Sequence, residues 1–250
     1  MAVVVVTGAT GAIGSAAVAA LERRRAQVIK LSRPDFDLSS MTSVRASVRE
    51  LNRDAPHIDA LLHIAAVYVT QWQKTRDGLE LMLATNHLGP FLLTNILRPR
   101  LTGGGRVITV TPPSATRVDI ERLLDRQRFD ADHSYWASKA ASLMFTFDLA
   151  RRAHRWDVRA NAFHPGIVQP VVVDESPRTL RLVTRLFSRS PQRAGEDLAE
   201  LALSSAHAGT TGWFFKGTER IDPPTSTLDQ AQQDALWKRS AELVELEGGF

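Results

Sequence analysis

Short apolar runs alternate along the chain with stretches whose apolar residues recur every three to four positions. Val3 to Val6, Gln27 to Leu31, Ile58 to Ile64, Arg106 to Val110 and Val158 to Phe163 read as strands, and Gly212-Trp213-Phe214-Phe215 as a late one. Helices are expected over Ile13 to Arg24, Leu79 to Leu97, Ser134 to Ala153 and Asp229 to Leu246. Ser43 to Asn52 is a further helix, with Ser39, Ser40 and Thr42 as capping candidates. Strands separated by helix-length segments need crossover connections, which make parallel neighbours. The chain is therefore expected to be α/β, a doubly wound Rossmann-type parallel sheet, with residues 1–250 forming a single domain. One connection is contracted. Only Ser32-Arg33-Pro34-Asp35-Phe36 separates the second strand from Asp37-Leu38, too little for a crossover helix, so Asp35 to Leu38 is a very short strand or a loop.

Composition narrows the chemistry more than the fold. There is no cysteine, which excludes disulfides, thiolate nucleophiles and cysteine-ligated metal. The seven histidines show no HExxH or other ligand spacing, so no metal is expected. The net charge of +4 comes from arginines scattered among acidic residues, without a DNA-reading motif, and nucleic acid is not an expected partner. No stretch approaches the roughly 18 apolar residues that span a bilayer. The apolar start, Ala2 to Val6, is too short for a leader core. A cytoplasmic protein with no membrane partner is the expectation.

Candidate chemistry begins after the first strand, at Thr7-Gly8-Ala9-Thr10-Gly11-Ala12-Ile13-Gly14. Glycines allow a tight turn and close approach to a pyrophosphate, and the following helix offers unpaired N–H groups to the anion. The spacing is GxxGxxG rather than GxGxxG, and its place between a strand and a helix is what marks it as a dinucleotide loop. The second strand ends in Leu31-Ser32-Arg33. A guanidinium there suits a ribose 2′-phosphate, where an acid would suit a free hydroxyl, so NADPH is expected over NADH. Asp35 nearby weakens that inference.

Tyr135-Trp136-Ala137-Ser138-Lys139 sets Tyr135 and Lys139 one helical turn apart on one face. A phenol titrates near pH ~10, and a neighbouring ammonium favours the phenolate, which would make the pair a usable acid or base for a carbonyl oxygen. With the glycine loop, this pair resembles the short-chain dehydrogenase/reductase family, and within it the retinol dehydrogenase-like branch. The resemblance covers essentially the whole chain. It implies that Asp37-Leu38 contacts adenine, that Asn86 supports Lys139 through a water, and that Lys139 holds the cofactor ribose and lowers the Tyr135 pKa. It also implies that Pro165-Gly166 turns over the nicotinamide, with Ala65 and Val168 on the cofactor side. The family's oligomeric habit implies a homodimer through the helices bearing Asn86 and Tyr135.

The resemblance breaks where the family's Val-Ser-Ser strand end supplies a hydroxyl to the substrate carbonyl. Here the run is Thr109-Val110-Thr111-Pro112-Pro113-Ser114, and Pro112 falls at the serine position. Ser114 is the better substitute and Thr111 the other. Loss of one such donor costs roughly 10²–10³ in rate. His63-Ile64-Ala65-Ala66 replaces the usual Asn-Asn-Ala-Gly, and Pro170 replaces a common threonine. His63 reads as a hydrogen-bonding strand-end residue. Pro170 to Ser190 is expected to cover the site, with Leu180, Leu182, Val183, Leu186 and Phe187 suiting an apolar substrate. Arg178, Arg181 and Arg185 alongside could attract a carboxylate, and Tyr68 to Trp72 adds aromatic surface. The reading is an NADPH-dependent reductase of a ketone or imine, acting on a small molecule. A non-redox enzyme on the same cofactor fold, or a cofactor-sensing regulator, stays open beside it.

Overall fold

Alternate valines of the first strand show how the sheet is buried on both faces. In the computed structural model, which describes residues 1–54, 56–166 and 190–248, β1 (Val3–Thr7) is followed by α1 (Ala12–Arg23), β2 (Gln27–Leu31), α2 (Met41–Asp54) and β3 (Ala60–His63). Next come α3 (Leu81–Leu83), a π turn (Ala84–Leu88), α4 (Gly89–Leu101), β4 (Arg106–Val110), α5 (Ile120–Leu124) and α6 (Ala131–Arg152). The described chain continues with β5 (Arg159–His164), α7 (Pro191–Leu203), β6 (Phe214–Lys216), β7 (Glu219–Ile221) and α8 (Gln230–Leu243). Val4 and Val6 join Ala17 and Leu21 of α1 and Leu198 and Ala202 of α7 in one apolar layer. Val5 points the other way, into a larger layer with Val44 of α2, Phe91 of α4, Leu149 of α6 and Leu236 of α8.

Among the described residues seven strands run β2-β1-β3-β4-β5-β6-β7. Neighbours are parallel from β2 to β6, and β7 alone is antiparallel. Successive strands step to one side of β1 and then to the other, so the sheet reverses direction between β1 and β3. Ligands of open α/β sheets sit at that reversal, outside the carboxyl ends of the strands.

Of the two readings of the contracted segment the structure has the loop, which leaves β2 as the sheet edge. Other expectations are corrected. The long helix expected from Leu79 to Leu97 is interrupted by the π turn, where Gly89 N–H donates to Ala84 O. Pro90 has no N–H to give the Asn86 carbonyl, which accepts from the Ser142 hydroxyl at 2.8 Å instead. Helix α7 went unread, although Ser190 caps it and Pro191 opens it. Gly195 is why α7 can lie against α1, since a Cβ there would come within 2.5 Å of the Ala16 carbonyl carbon.

Helix α8 lies across α4 and α6. Trp237 packs edge-on to Phe91 with ring centroids 4.9 Å apart. His87 Nε2 meets the Ser240 hydroxyl at 2.8 Å, and Arg152 lies over the Trp237 ring. A dimer was expected through the helices bearing Asn86 and Tyr135, and α8 packs on part of that surface within one chain.

Candidate cofactor and active site

The loop after β1 is held from two sides. The Thr7 hydroxyl is buried, contacts Leu62 O and accepts from Ile64 N–H at 3.1 Å, which ties β1 to the segment after β3. Gly8 has φ +69 and rests against Ala65, where a Cβ would approach the Ala65 Cα to 2.7 Å. Gly8 N–H donates to Leu31 O at 3.0 Å, so the loop also reaches the end of β2. The loops after β1, β2 and β3 therefore meet at the reversal of the sheet.

Helix α1 starts there without a side-chain cap and without an acidic residue in its first turn. By contrast, Asp119, Asp130, Ser190 and Asp229 cap α5, α6, α7 and α8. The N–H groups of Ala12, Ile13 and Gly14 have no partner among the described residues. Thr10, Gly11 and Ala12 are exposed beside them. Unpaired N–H groups at a helix start, in a glycine loop, suit phosphate oxygens. At the end of β2, the Ser32 hydroxyl is buried with no partner, and Arg33 is exposed. Both features fit the ribose and phosphate end of a dinucleotide.

The Asp37 carboxylate accepts from the Ser39 N–H and hydroxyl at 2.9 and 2.7 Å. Leu38 is buried, and its carbonyl lies so close to Gly89 that a Cβ there would come within 2.2 Å of it. Pro165-Gly166 follows β5, with Gly166 at φ +78. Val168, Pro170 and the expected covering stretch up to residue 189, with its leucines and arginines, lie outside the described residues.

The first turns of α6 lie at the carboxyl end of β4. Lys139 Nζ donates to Val110 O at 3.1 Å, and the Thr111 hydroxyl donates to Lys139 O at 3.2 Å. Asn86 sits in the π turn, a distortion common at functional sites. Its amide exchanges two hydrogen bonds with the Val67 backbone and donates to the Ser138 hydroxyl at 2.9 Å. It is thus aimed at Ser138 and at the segment after β3, and no direct bond to Lys139 forms. Ser138, which the sequence reading passed over, joins Asn86 to the Tyr135 carbonyl through a 2.7 Å bond. Its signal was its place in the same tyrosine-to-lysine turn.

Electrostatics correct one expectation. Burial holds the Tyr135 phenol above its ordinary pKa of 10, with no lowering contribution from Lys139. Burial brings the Lys139 ammonium down from 10.5 to about 8. The Tyr135 ring is flanked by Tyr68 at 5.5 Å and Trp136 at 5.3 Å, both edge-on. The two candidate replacements for the missing serine are already engaged. The Ser114 hydroxyl is buried and donates to Trp136 O at 2.8 Å, and Thr111 holds Lys139 O. His63 is buried with Nε2 on the Thr94 hydroxyl at 2.7 Å, and burial lowers its pKa to about 3. Among the described residues no helix is long and apolar enough to cross a membrane, and no group of three or more His, Asp or Glu could hold a metal.

The sequence model of a family described as enoyl-(acyl carrier protein) reductase matches residues 2–212. The chain belongs to the short-chain dehydrogenase/reductase family. Within this oxidoreductase family it falls in the retinol dehydrogenase-like branch. Human retinol dehydrogenase 14 is 31% identical over 225 residues, covering 85% of this chain; the chain spans only 66% of that relative's length. DnrU of Streptomyces sp. (strain C5), named as a daunorubicin C-13 ketoreductase, is 32% identical over 267 residues, covering 96% of this chain and 92% of its own. A crystal structure of an uncharacterised Mycobacterium paratuberculosis protein superposes with a TM-score of 0.76 at 27% identity, covering 100% of this short-chain dehydrogenase/reductase and 96% of that chain.

The depressed Lys139 pKa makes a stability prediction. A buried lysine with a folded pKa of about 8 and an unfolded one of 10.5 opposes folding while charged. At about 1.4 kcal/mol per pH unit the cost is roughly 3 kcal/mol, complete below pH 8. Between about 8 and 10.5 the unfolded chain binds more protons, so stability climbs with pH. Lys139→Met removes this cost but leaves Val110 O without its Lys139 donor, a loss of about 1 kcal/mol. Urea unfolding at pH 7 is expected to show the variant about 1–2 kcal/mol more stable, with the gain gone by pH 10.5. A variant less stable than the parent at pH 7 refutes the buried-charge account.

Proposed function

We propose that this chain is an NADPH-dependent reductase that delivers hydride to the ketone or imine carbon of an apolar small molecule. The observation that carries this is the placement of Tyr135 one helical turn from Lys139 on α6. The pair stands at the carboxyl end of β4, on the side of the sheet where the glycine loop meets the β1–β3 reversal. A phenol kept protonated at neutral pH is an acid, and reduction of a carbonyl needs a proton on the oxygen. NADPH, when bound, supplies the hydride.

The chain's own residues do the rest. Gly8, Thr10, Gly11, Ala12, Ile13 and Gly14 receive the phosphates, with Thr7 bracing the loop. Arg33 would take the 2′-phosphate, Asp37 and Leu38 the adenine, and Ala65, Pro165 and Gly166 the nicotinamide side. Asn86 positions Ser138 and the Tyr135 turn. Ser114 reaches a substrate oxygen only by giving up Trp136 O. Exposed Trp136 and the ring of Tyr68 offer apolar surface beside Tyr135. The 1–250 chain acts as one domain. DnrU's name points to the same kind of carbonyl chemistry.

Arg33→Ala is expected to weaken NADPH binding about tenfold and NADH binding less than twofold, as for a lost charge-assisted pair. Fluorescence titration with both nucleotides reads this, and equal losses for the two refute the 2′-phosphate role. The engaged hydroxyls of Thr111 and Ser114, with Pro112 between them, favour a second reading: a non-redox step on the same bound nucleotide. Consumption of NADPH against ketones and imines decides between the two, and tight binding without consumption favours the second.

A further inference from the structure

Many guanidinium groups of this chain have partners. Arg24 meets Glu196 and Glu200, Arg151 and Arg152 share Asp148 and Asp234, and Arg239 meets Glu121 and Glu242. The segment between β4 and α6 departs from this. Arg117, Arg122 and Arg128 converge with Asp119 and His133 on a groove of about 200 Å³. None of the three guanidinium groups forms an ion pair or hydrogen bond among the described residues.

Two nitrogens of this groove, Arg122 Nε and His133 Nε2, are buried without a hydrogen-bond partner. Buried polar atoms are normally satisfied, and leaving a charged donor unpaired is costly. The nearby carboxylates do not supply the missing acceptor. Asp119 accepts from the Arg122 backbone N–H as the cap of α5, and Asp130 accepts from His133 N–H as the cap of α6. Three guanidinium groups against Asp119 in the groove lining and Asp130 beside it leave an excess of positive charge. The His133 pKa is lowered, first by burial and then by the Arg122 charge, with Arg128 adding to this and Asp130 and Asp119 opposing it. Guanidinium groups offer planar forks of donors that match carboxylate and phosphate oxygens.

We propose that this groove is an oxyanion subsite that takes a carboxylate or phosphate group carried by a small molecule. His133 lies two residues before Tyr135 on α6, so the subsite stands at the first turn of the helix with the proposed proton donor. The oxyanion has two sources: a substituent on the substrate itself, which rests on the reductase reading, or a separate small anion, which does not.

Chemical-shift titration of the His133 imidazole with inorganic phosphate and with benzoate tests the site. Ionic strength is held constant, and NADP⁺ is present to occupy the glycine loop. The expected result is saturable binding of at least one probe, with the His133 pKa rising on binding. Arg122→Gln and the exposed-site variant Arg128→Gln are each expected to weaken it about tenfold, as for a lost charge-assisted bond. Arg25→Gln, outside the groove, leaves it unchanged. Failure of both probes to perturb His133, or undiminished binding in both groove variants, overturns the subsite. Turnover of an aryl keto acid and its methyl ester then assigns the source. A roughly tenfold preference for the acid, lost in Arg122→Gln, places the group on the substrate. Equal use of acid and ester with anion binding retained assigns it to a separate anion. Anion binding without turnover of either ketone counts against the reductase reading and leaves the subsite standing.

Discussion

Tyr135→Phe is expected to lower kcat by about 10³ while leaving NADPH affinity within about twofold, because general acids contribute roughly 10²–10⁴. The substitution removes one hydroxyl and keeps the ring. The edge-on contacts with Tyr68 and Trp136 depend on the ring alone, and the backbone link from Ser138 uses the Tyr135 carbonyl. The site should therefore stay assembled. Steady-state turnover on the best ketone or imine, alongside nucleotide titration, separates the proton from the scaffold. Turnover within about tenfold of the parent would remove Tyr135 from the chemistry and return the proton to water or another donor.

The second large effect is expected at the glycine loop. A Cβ on Gly14 would lie 2.0 Å from Gly8 O and 2.8 Å from Gly8 C. Both are backbone atoms, so no side chain can swing away, and either the loop or the start of α1 must shift. Gly14→Ala should cost about 1–3 kcal/mol in stability, as overpacking does. It should also weaken nucleotide binding by at least about 10², because the N–H groups of Ala12 to Gly14 would lose their common direction. Gly209→Ala is the control, since nothing lies within 4 Å of its Cβ. Thermal melts with and without NADPH check both. Ligand-induced stabilisation that survives in Gly14→Ala would show that the loop does not hold the nucleotide.

Much of this architecture is legible from local pattern because the central strands are buried on both faces and short turns bound them. The β2 and β4 boundaries read from sequence coincide with the structure, and Tyr135 and Lys139 share α6 as their spacing suggests, with Asn86 meeting that helix at Ser138. What escaped the reading depends on contacts distant in sequence. Gly195 within α7 looks like a helix breaker until its closeness to Ala16 is known. The three-residue strand β7 is too short to show a period, and it exists by pairing with β6. At the π turn Pro90 frees the Asn86 carbonyl locally, but its acceptance from Ser142, 56 residues away, is a distant contact. The upward shift of the Tyr135 pKa is likewise a property of burial, which residue spacing on one helix does not report. The arginine groove was invisible for a related reason. Arg117, Arg122 and Arg128 look like dispersed surface charge until the loop folds them onto His133.

The contracted connection after β2 bears on how cofactor preference can change. Arg33, Pro34 and Asp35 are all exposed, while Leu31 before them and Phe36 and Leu38 after them are buried anchors. No strand or crossover helix depends on those three side chains. If Arg33 holds the 2′-phosphate as proposed, mutations there change which nucleotide is favoured without first disturbing the core, so selection acts on a short, mechanically independent stretch. On that reading cofactor choice is evolvable in small steps, and a designer wishing to redirect it has three adjacent positions to vary with the sheet left intact.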